Sequence, residues 1–383
     1  MRSASIDAQP DWLRRAAWAV GAVAVALAVI HYRRHGTDLE VYWRAARRFL
    51  AALPLYPAAD GLRTYRYAPG AALVFAPLAP LPLPVARAAW YLGMIALVVV
   101  VLRAVASRAG EAPGAHLLVA WLGVVRPLLE EFHYAQVNLL VLALALAAFA
   151  AEDRGRDAMA GALVALAAGL KLAPLVLVLD LAIRRRWRAL AGFAAGAMAL
   201  ALAPAITYGA SGALRVHLAW LDSMRTSALG LAASAGNQSL LGIALRAGLP
   251  GWVGTLASVA LVACALAVRA PEPRRSLLLL AMALASPLGW TWNFVLALPA
   301  MDLLASAGRR FGWGVAAFGI LSLVPLYDVG GPRLERWAFE HSLFGVSMIA
   351  LFALVARVTA PGFPRSHPPA RPAERATAAA LER

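Results

Sequence analysis

About a dozen apolar runs divide this chain, near 14–32, 86–105, 115–129, 134–151, 157–170, 172–184, 189–206, 251–268, 276–288, 291–306, 311–327 and 338–357. A helix crossing a bilayer needs roughly 20 mostly apolar residues, and few soluble folds tolerate so many such runs in 383 residues. Composition agrees: 62% of residues are hydrophobic and 15% charged, with a mean hydropathy of +0.69. A soluble domain is nearer a quarter charged. The pattern predicts an all-α polytopic membrane protein with one membrane domain over 1–358. A proline-, alanine- and arginine-rich tail over 359–383 reads as disordered and cytoplasmic.

The net charge of +16 does not point to nucleic acid, because its basic residues sit in short groups between apolar runs. These groups are "RAVASRAG" (103–110), "EDRGRD" (152–157), "RRRWR" (184–188), "RAPEPRR" (269–275) and "GRR" (308–310). Cytoplasmic loops carry such an excess of basic residues. The one cysteine, Cys264, lies in an apolar run and excludes an internal disulfide. The first run, Trp18 to Ile30, follows Arg14 and Arg15 and lacks a small-residue cleavage site, so it reads as a retained span.

With about twelve crossings, every basic group falls inside, provided that 71–84 does not span. Its four prolines argue for a re-entrant or surface-lying element. Three longer segments then lie outside: 33–85, 207–250 and 328–337, with short joints at 130–133, 171 and 287–293. The first external loop holds "DLEVYWRAARRFLAAL", in which Leu39, Tyr42 or Trp43, Ala46, Phe49 or Leu50, and Leu53 recur at helical spacing. That spacing predicts an interfacial helix with its apolar side toward lipid and its arginines as membrane anchors. Asp38 stands at the start of this helix, where spacing alone reads it as an N-terminal cap.

Polar breaks at the same outer boundary are the other candidates. Lys171, the only lysine among 36 basic side chains, stands between two apolar runs and three residues before Pro174. It either snorkels to lipid phosphate or meets a phosphate in a cavity as a compact point charge. "RPLLEEFHYAQVNLL" (126–140) carries Gln136 and Asn138 into an apolar run. Glu130 and Glu131 are adjacent, point apart on a helix, and make a poor acid–base dyad. "SAGNQSLLGIALR" (234–246) and "SPLGWTWNF" (286–294) add amides and two tryptophans, which serve a membrane belt or stack on sugar rings. No phosphate loop, GxGxxG, HExxH or GxSxG motif occurs.

In sequence order, "DLEVYWRAARRFLAALPLY" with "YRYAP", "AQVNLLVLAL", "AGALVALAAGLKLAPLVLVL" followed by "RRRWRAL", "GNQSLLGIALR" and "SPLGWTWNFVLALP" resemble the membrane mannosyltransferases of glycosyltransferase family 87. The resemblance implies a GT-C fold and a polyprenyl-phosphate sugar donor. It implies a glycolipid or glycan acceptor and an active site facing outward from the cytoplasmic membrane. It makes Asp38 the catalytic acidic residue of the first external loop, read here as the general base of an inverting transfer, and the donor phosphate is placed at Lys171 and an arginine of that loop, Arg63 or Arg66. Tyr42, Tyr67, Gln136, Asn138, Asn237, Gln238, Trp290, Trp292 and Asn293 are the implied sugar- and acceptor-side residues. The donor phosphate chemistry does not demand a metal, and a divalent ion is left open. Two departures stand out: Asn293 follows Trp292 where many relatives have histidine, and Ala135 replaces a frequent glycine. Arabinose or glucose transfer, and a transporter or lipid flippase, are the rival readings.

Overall fold

A computed structural model describes residues 37–106, 113–306, 314 and 326–360. The expected first span, most of the expected span at 311–327, the "GRR" group and the tail beyond 360 lie outside the described residues. Among those described, every regular element is helical. The chain runs through α1 (Thr37–Leu50), two 3-10 pieces (Ala58–Arg63 and Pro69–Leu78), α2 (Leu83–Ala106), α3 (Pro113–Tyr134), α4 (Asn138–Asp153) and α5 (Asp157–Leu170). It continues through α6 (Leu175–Ile183), α7 (Trp187–Leu231), α8 (Leu240–Arg246), α9 (Gly251–Ala267), α10 (Pro271–Leu284), a 3-10 piece (Thr291–Ala297), α11 (Leu298–Ser306), α12 (Leu326–Glu340) and α13 (Leu343–Val358).

Among the described residues, two helices are long and apolar enough to cross a membrane, or up to four if each bent pair is one span. The other apolar helices fall short of the roughly 20 residues a straight crossing needs. α3 and α4 meet at 119° around Ala135–Val137, and α5 and α6 are separated by 171–174, where Lys171 is extended. α7 is not one rod. Gly209, at φ 69°, breaks it, and His217 returns to within 2.9 Å of the Ala201 carbonyl. The segment 207–250, expected as an external loop, therefore holds the second half of α7 together with α8. The region 328–337 is likewise mostly helix, kinked at Gly331 before Pro332.

The centre of the bundle is α10. Its run Leu277–Leu284 is buried on every side, as expected for a helix without a polar face. Around it, helices approach through small residues, which let backbones touch where lipid supplies no hydrophobic drive between helices. A Cβ on Gly161 of α5 would stand 1.8 Å from the Ala189 carbonyl oxygen of α7, and one on Gly192 would stand 2.0 Å from the Ala158 carbonyl oxygen. Gly70 makes the same approach to Leu200, at 2.0 Å. The Ala68 amide donates to the Gly169 carbonyl (3.2 Å). The segment between α1 and α2 is thus clamped to the α5–α7 pair.

α1 corrects one expectation. Its apolar stripe of Leu39, Tyr42, Ala46 and Phe49 is buried by protein rather than turned to lipid. Tyr42 stacks on Phe75 (4.7 Å) and Phe49 meets Tyr208 edge-on (5.6 Å). Two of its arginines brace the segment that follows. Arg48 pairs with Asp60, Arg44 approaches the same carboxylate at 3.8 Å, and Arg47 lies over the Trp43 ring. The segment 69–78 is a 3-10 helix too short to span.

Three basic groups expected on one side of the membrane do converge. Glu152 accepts from Arg184 and Arg275, Arg186 bonds Asp157 (2.7 Å), and Arg274 bonds Asp180 (3.1 Å). Arg275 also reaches Asp153 (2.6 Å). Many of these arginines are thus committed to carboxylates rather than to lipid phosphate.

Two substitutions test this packing by thermal unfolding in detergent. Gly161→Val forces α5 from α7 and costs about 1–3 kcal/mol or more. Ala135 occupies the left-handed region at φ 55°, where a Cβ is disfavoured, so Ala135→Gly leaves the melting temperature unchanged or raises it.

Candidate active site

One cavity of ≈ 720 Å³ gathers residues from the polar breaks at 126–140, 171 and 286–294 and from the helix that begins at Thr37. Its wall includes Asp38 and Tyr42 from α1, Arg63, Arg66 and Tyr67 from the segment between α1 and α2, and Gln136 and Asn138 from the α3–α4 turn. Lys171 comes from the α5–α6 break, and Trp290, Trp292 and Asn293 from the segment after α10. Trp220 and Met224, on the returning half of α7, complete it.

Each break is fixed by buried hydrogen bonds. Trp90 of α2 donates to the Ala135 carbonyl (3.1 Å) and Tyr91 to that of Phe132 (2.9 Å), which pins the α3–α4 turn. Glu131, fully buried, accepts from the Leu139 amide (2.8 Å) and from Asn138 Nδ2 (2.7 Å). A carboxylate there satisfies orphan donors at the positive end of α4. Sequence reading passed over this role because it weighed Glu131 only as a dyad partner of Glu130. Glu130 instead pairs with Arg126, which also reaches Glu335 (3.0 Å).

The catalytic candidates are tied into short hydrogen-bonded chains. Gln136 Nε2 donates to Asp38 Oδ2, and Tyr42 donates to Gln136 Oε1 (3.5 Å). The hydroxyls of Tyr42 and Tyr67 lie 2.8 Å apart. Burial pushes both phenols up, so they stay protonated. On the other side, Lys171 Nζ donates to Asn293 Oδ1 (2.9 Å), and Asn293 Nδ2 donates to the Leu288 carbonyl (2.9 Å). Burial raises the Asp38 pKa above the usual aspartate value, opposed by the positive charges of Lys171 and Arg66.

Trp290 and Trp292 stack at 5.4 Å, with Tyr134 4.3 Å from Trp292. Trp290 also packs so closely on Gly236 that a Cβ there would lie 2.5 Å from the indole. These rings form an aromatic pad beside the charged end of the cavity, with the two indoles near parallel and Tyr134 tilted by 47° to Trp292.

Asn237 and Gln238 stand apart from the rest. Both are fully buried and neither lines the cavity. Asn237 Nδ2 donates to the carbonyls of Ala232 (2.7 Å) and Pro287 (3.0 Å), while its Oδ1 accepts from the Gly289 amide (2.7 Å). Gln238 donates to the Phe339 carbonyl (3.1 Å) and accepts from the Gly345 amide (3.0 Å). These amides stitch the 234–239 turn to the segment bearing Trp290 and to the α12–α13 junction, a supporting place behind the cavity wall. Among the described residues, no group of three or more His, Cys, Asp or Glu side chains converges.

Asn237→Ala leaves the buried Gly289 amide without its partner, at a cost of about 1–3 kcal/mol. The expected readout is a lowered melting temperature with wild-type donor KM in the folded fraction.

Residues 65–291 match the family model described as glycosyltransferase family 87. The chain is 32% identical to a polyprenol-phosphate-mannose-dependent alpha-(1-2)-phosphatidylinositol pentamannoside mannosyltransferase of Mycolicibacterium smegmatis, over 72% of each chain. It is 28% identical to a polyprenol-phosphate-mannose-dependent alpha-(1-2)-phosphatidylinositol mannoside mannosyltransferase of Mycobacterium tuberculosis, over 82% of this chain and 79% of the relative. No solved structure matches.

Proposed function

The chain belongs to glycosyltransferase family 87, and from that premise we propose that it transfers mannose from a polyprenyl-phosphate donor to a lipid-linked glycan acceptor at the outer face of the cytoplasmic membrane. That it is a glycosyltransferase follows from the family; mannose and the lipid-linked donor and acceptor are taken from the relatives' activities. The observation that carries the mechanism is the meeting of Asp38 and Lys171 in one large cavity with no ion pair between them. A base and a phosphate-binding cation are what such a transfer requires.

In this reading Asp38 accepts the proton of an acceptor hydroxyl while that oxygen attacks C1 of the donor sugar. The bond from C1 to the phosphate oxygen breaks on the opposite side, and the departing lipid phosphate is stabilised by Lys171, Arg66 and Arg63. General-base help contributes about 10²–10⁴-fold, and fixed cations aimed at developing negative charge add a second electrostatic contribution. One displacement inverts the anomeric centre. The Trp290–Trp292 pad offers a sugar face a place to stack, and the donor tail is placed among the apolar helices.

The outward orientation is supported by the two ends of α4 and α5. Asn138 and Lys171 face the cavity, whereas Glu152 and Asp157 join the arginine network. The 14 residues from Asn138 to Glu152 rise about 21 Å, which separates the two ends by most of a bilayer core. The arginine-rich end is the cytoplasmic one by the charge rule.

Asp38→Asn is expected to lower transfer of labelled mannose from polyprenyl-phosphate mannose by about 10²-fold or more. Wild-type rates in a folded variant contradict the assignment. Asp38 acts ionised, and its pKa is raised. The rate therefore falls on acidification at a higher pH than an exposed aspartate would give, as a pH–rate profile will show.

A further inference from the structure

Opposite charges sharing a water-poor cavity attract strongly. A direct Asp38–Lys171 pair would leave neither group free: the carboxylate would lose basicity and the ammonium would no longer be open to a phosphate. Among the described residues the two do not pair, and each is instead held by a neutral amide. Gln136 Nε2 donates to Asp38 Oδ2, and Asn293 Oδ1 accepts from Lys171 Nζ.

The orientation of each amide is set by a second partner. Asn293 Nδ2 is committed to the Leu288 carbonyl, which turns Oδ1 toward the lysine. Gln136 Oε1 accepts from Tyr42, whose hydroxyl is bonded to that of Tyr67. Each amide thus has one donor and one acceptor committed, which fixes the way it faces. With Oδ2 of Asp38 engaged, Oδ1 has only the Thr37 hydroxyl, at 3.4 Å. That oxygen is the one left to take a proton.

We propose that Gln136 and Asn293 are positioning residues, two neutral amides that keep Asp38 and Lys171 apart as a free base and a free cation. The proposal rests on the reading of Asp38 as the base. The charged and titratable groups around Asp38 are Lys171, Arg66 and Arg63 on the cationic side, and Tyr42 and Tyr67 on the other. Glu131 acts on Lys171 and on both tyrosines from behind.

The test is the pH profile of kcat/KM, together with donor KM, for the full chain in lipid nanodiscs. Labelled polyprenyl-phosphate mannose serves as donor and a phosphatidylinositol mannoside as acceptor. Gln136→Leu removes a hydrogen bond to the ionised carboxylate and moves the acid limb up by about one pH unit, with donor KM within about twofold of wild type. Asn293→Leu frees Lys171 to close on Asp38, so the acid limb moves down and donor KM rises. Opposite shifts from two amide-to-leucine changes are the signature of this arrangement.

Where Gln136→Leu melts well below wild type, Gln136→Glu carries the test, because a second carboxylate beside Asp38 moves the limb up further. Acid limbs that stay in place in these variants, with only KM altered, would make the amides substrate contacts and overturn the proposal. Asp38→Asn run alongside separates the two levels. If it keeps wild-type activity the base assignment itself fails; if it is inactive while the limbs stay put, only the amide proposal fails.

Discussion

Backbone that leaves helical geometry within a membrane protein must find its hydrogen-bond partners inside the protein, and the rest of this structure follows from that constraint. The chain breaks at 135–137, 171–174 and 285–290, and at the first and the last a buried polar side chain takes up backbone groups that a continuous helix would have paired. Glu131 caps α4, Asn237 joins the Pro287–Gly289 backbone to its own turn, and Asn293 holds the Leu288 carbonyl and Lys171 together. Orphaned polar groups there would each cost on the order of kilocalories. The breaks open toward one cavity, so satisfying the backbone and furnishing the site are largely one task.

The same helices carry different chemistry at their two ends. At one end of α4, α5 and α10, four arginines knit loops 152–157, 184–186 and 272–275 to carboxylates. At the other end the charges are few and are engaged through amides or turned to the cavity. Between them, Gly161 and Gly192 bring α5 and α7 into backbone contact, and Gly70 seats the segment between α1 and α2 on the same pair. That packing sets the placement of Tyr67 and Ala68 relative to Lys171, and so the shape of the site.

The all-helical class was legible because apolar runs admit few alternatives, and α1 was legible from its period. Its environment was not. A stripe of Leu39, Tyr42, Ala46 and Phe49 is equally suited to lipid or to protein, and the burying partners lie at Phe75 and Tyr208, far along the chain. The amides show the same limit from the other side. Asn237 and Gln238 carry the donors and acceptors of Gln136 and Asn293, but only the fold commits the first pair to backbone. Glu131 was hidden by its neighbour, since adjacency excluded a dyad and nothing local announced a cap for a helix seven residues on. The transporter reading gave way to family membership rather than to any feature of the fold.

The account holds that one carboxylate, Asp38, and a cation-held leaving phosphate achieve transfer in a single displacement. The anomeric configuration of the product tests this most directly, read by NMR from the one-bond carbon–hydrogen coupling at the transferred sugar's C1. From a β-linked polyprenyl-phosphate mannose the account predicts an α-linked product. A β-linked product would require a second, covalent displacement and would contradict it.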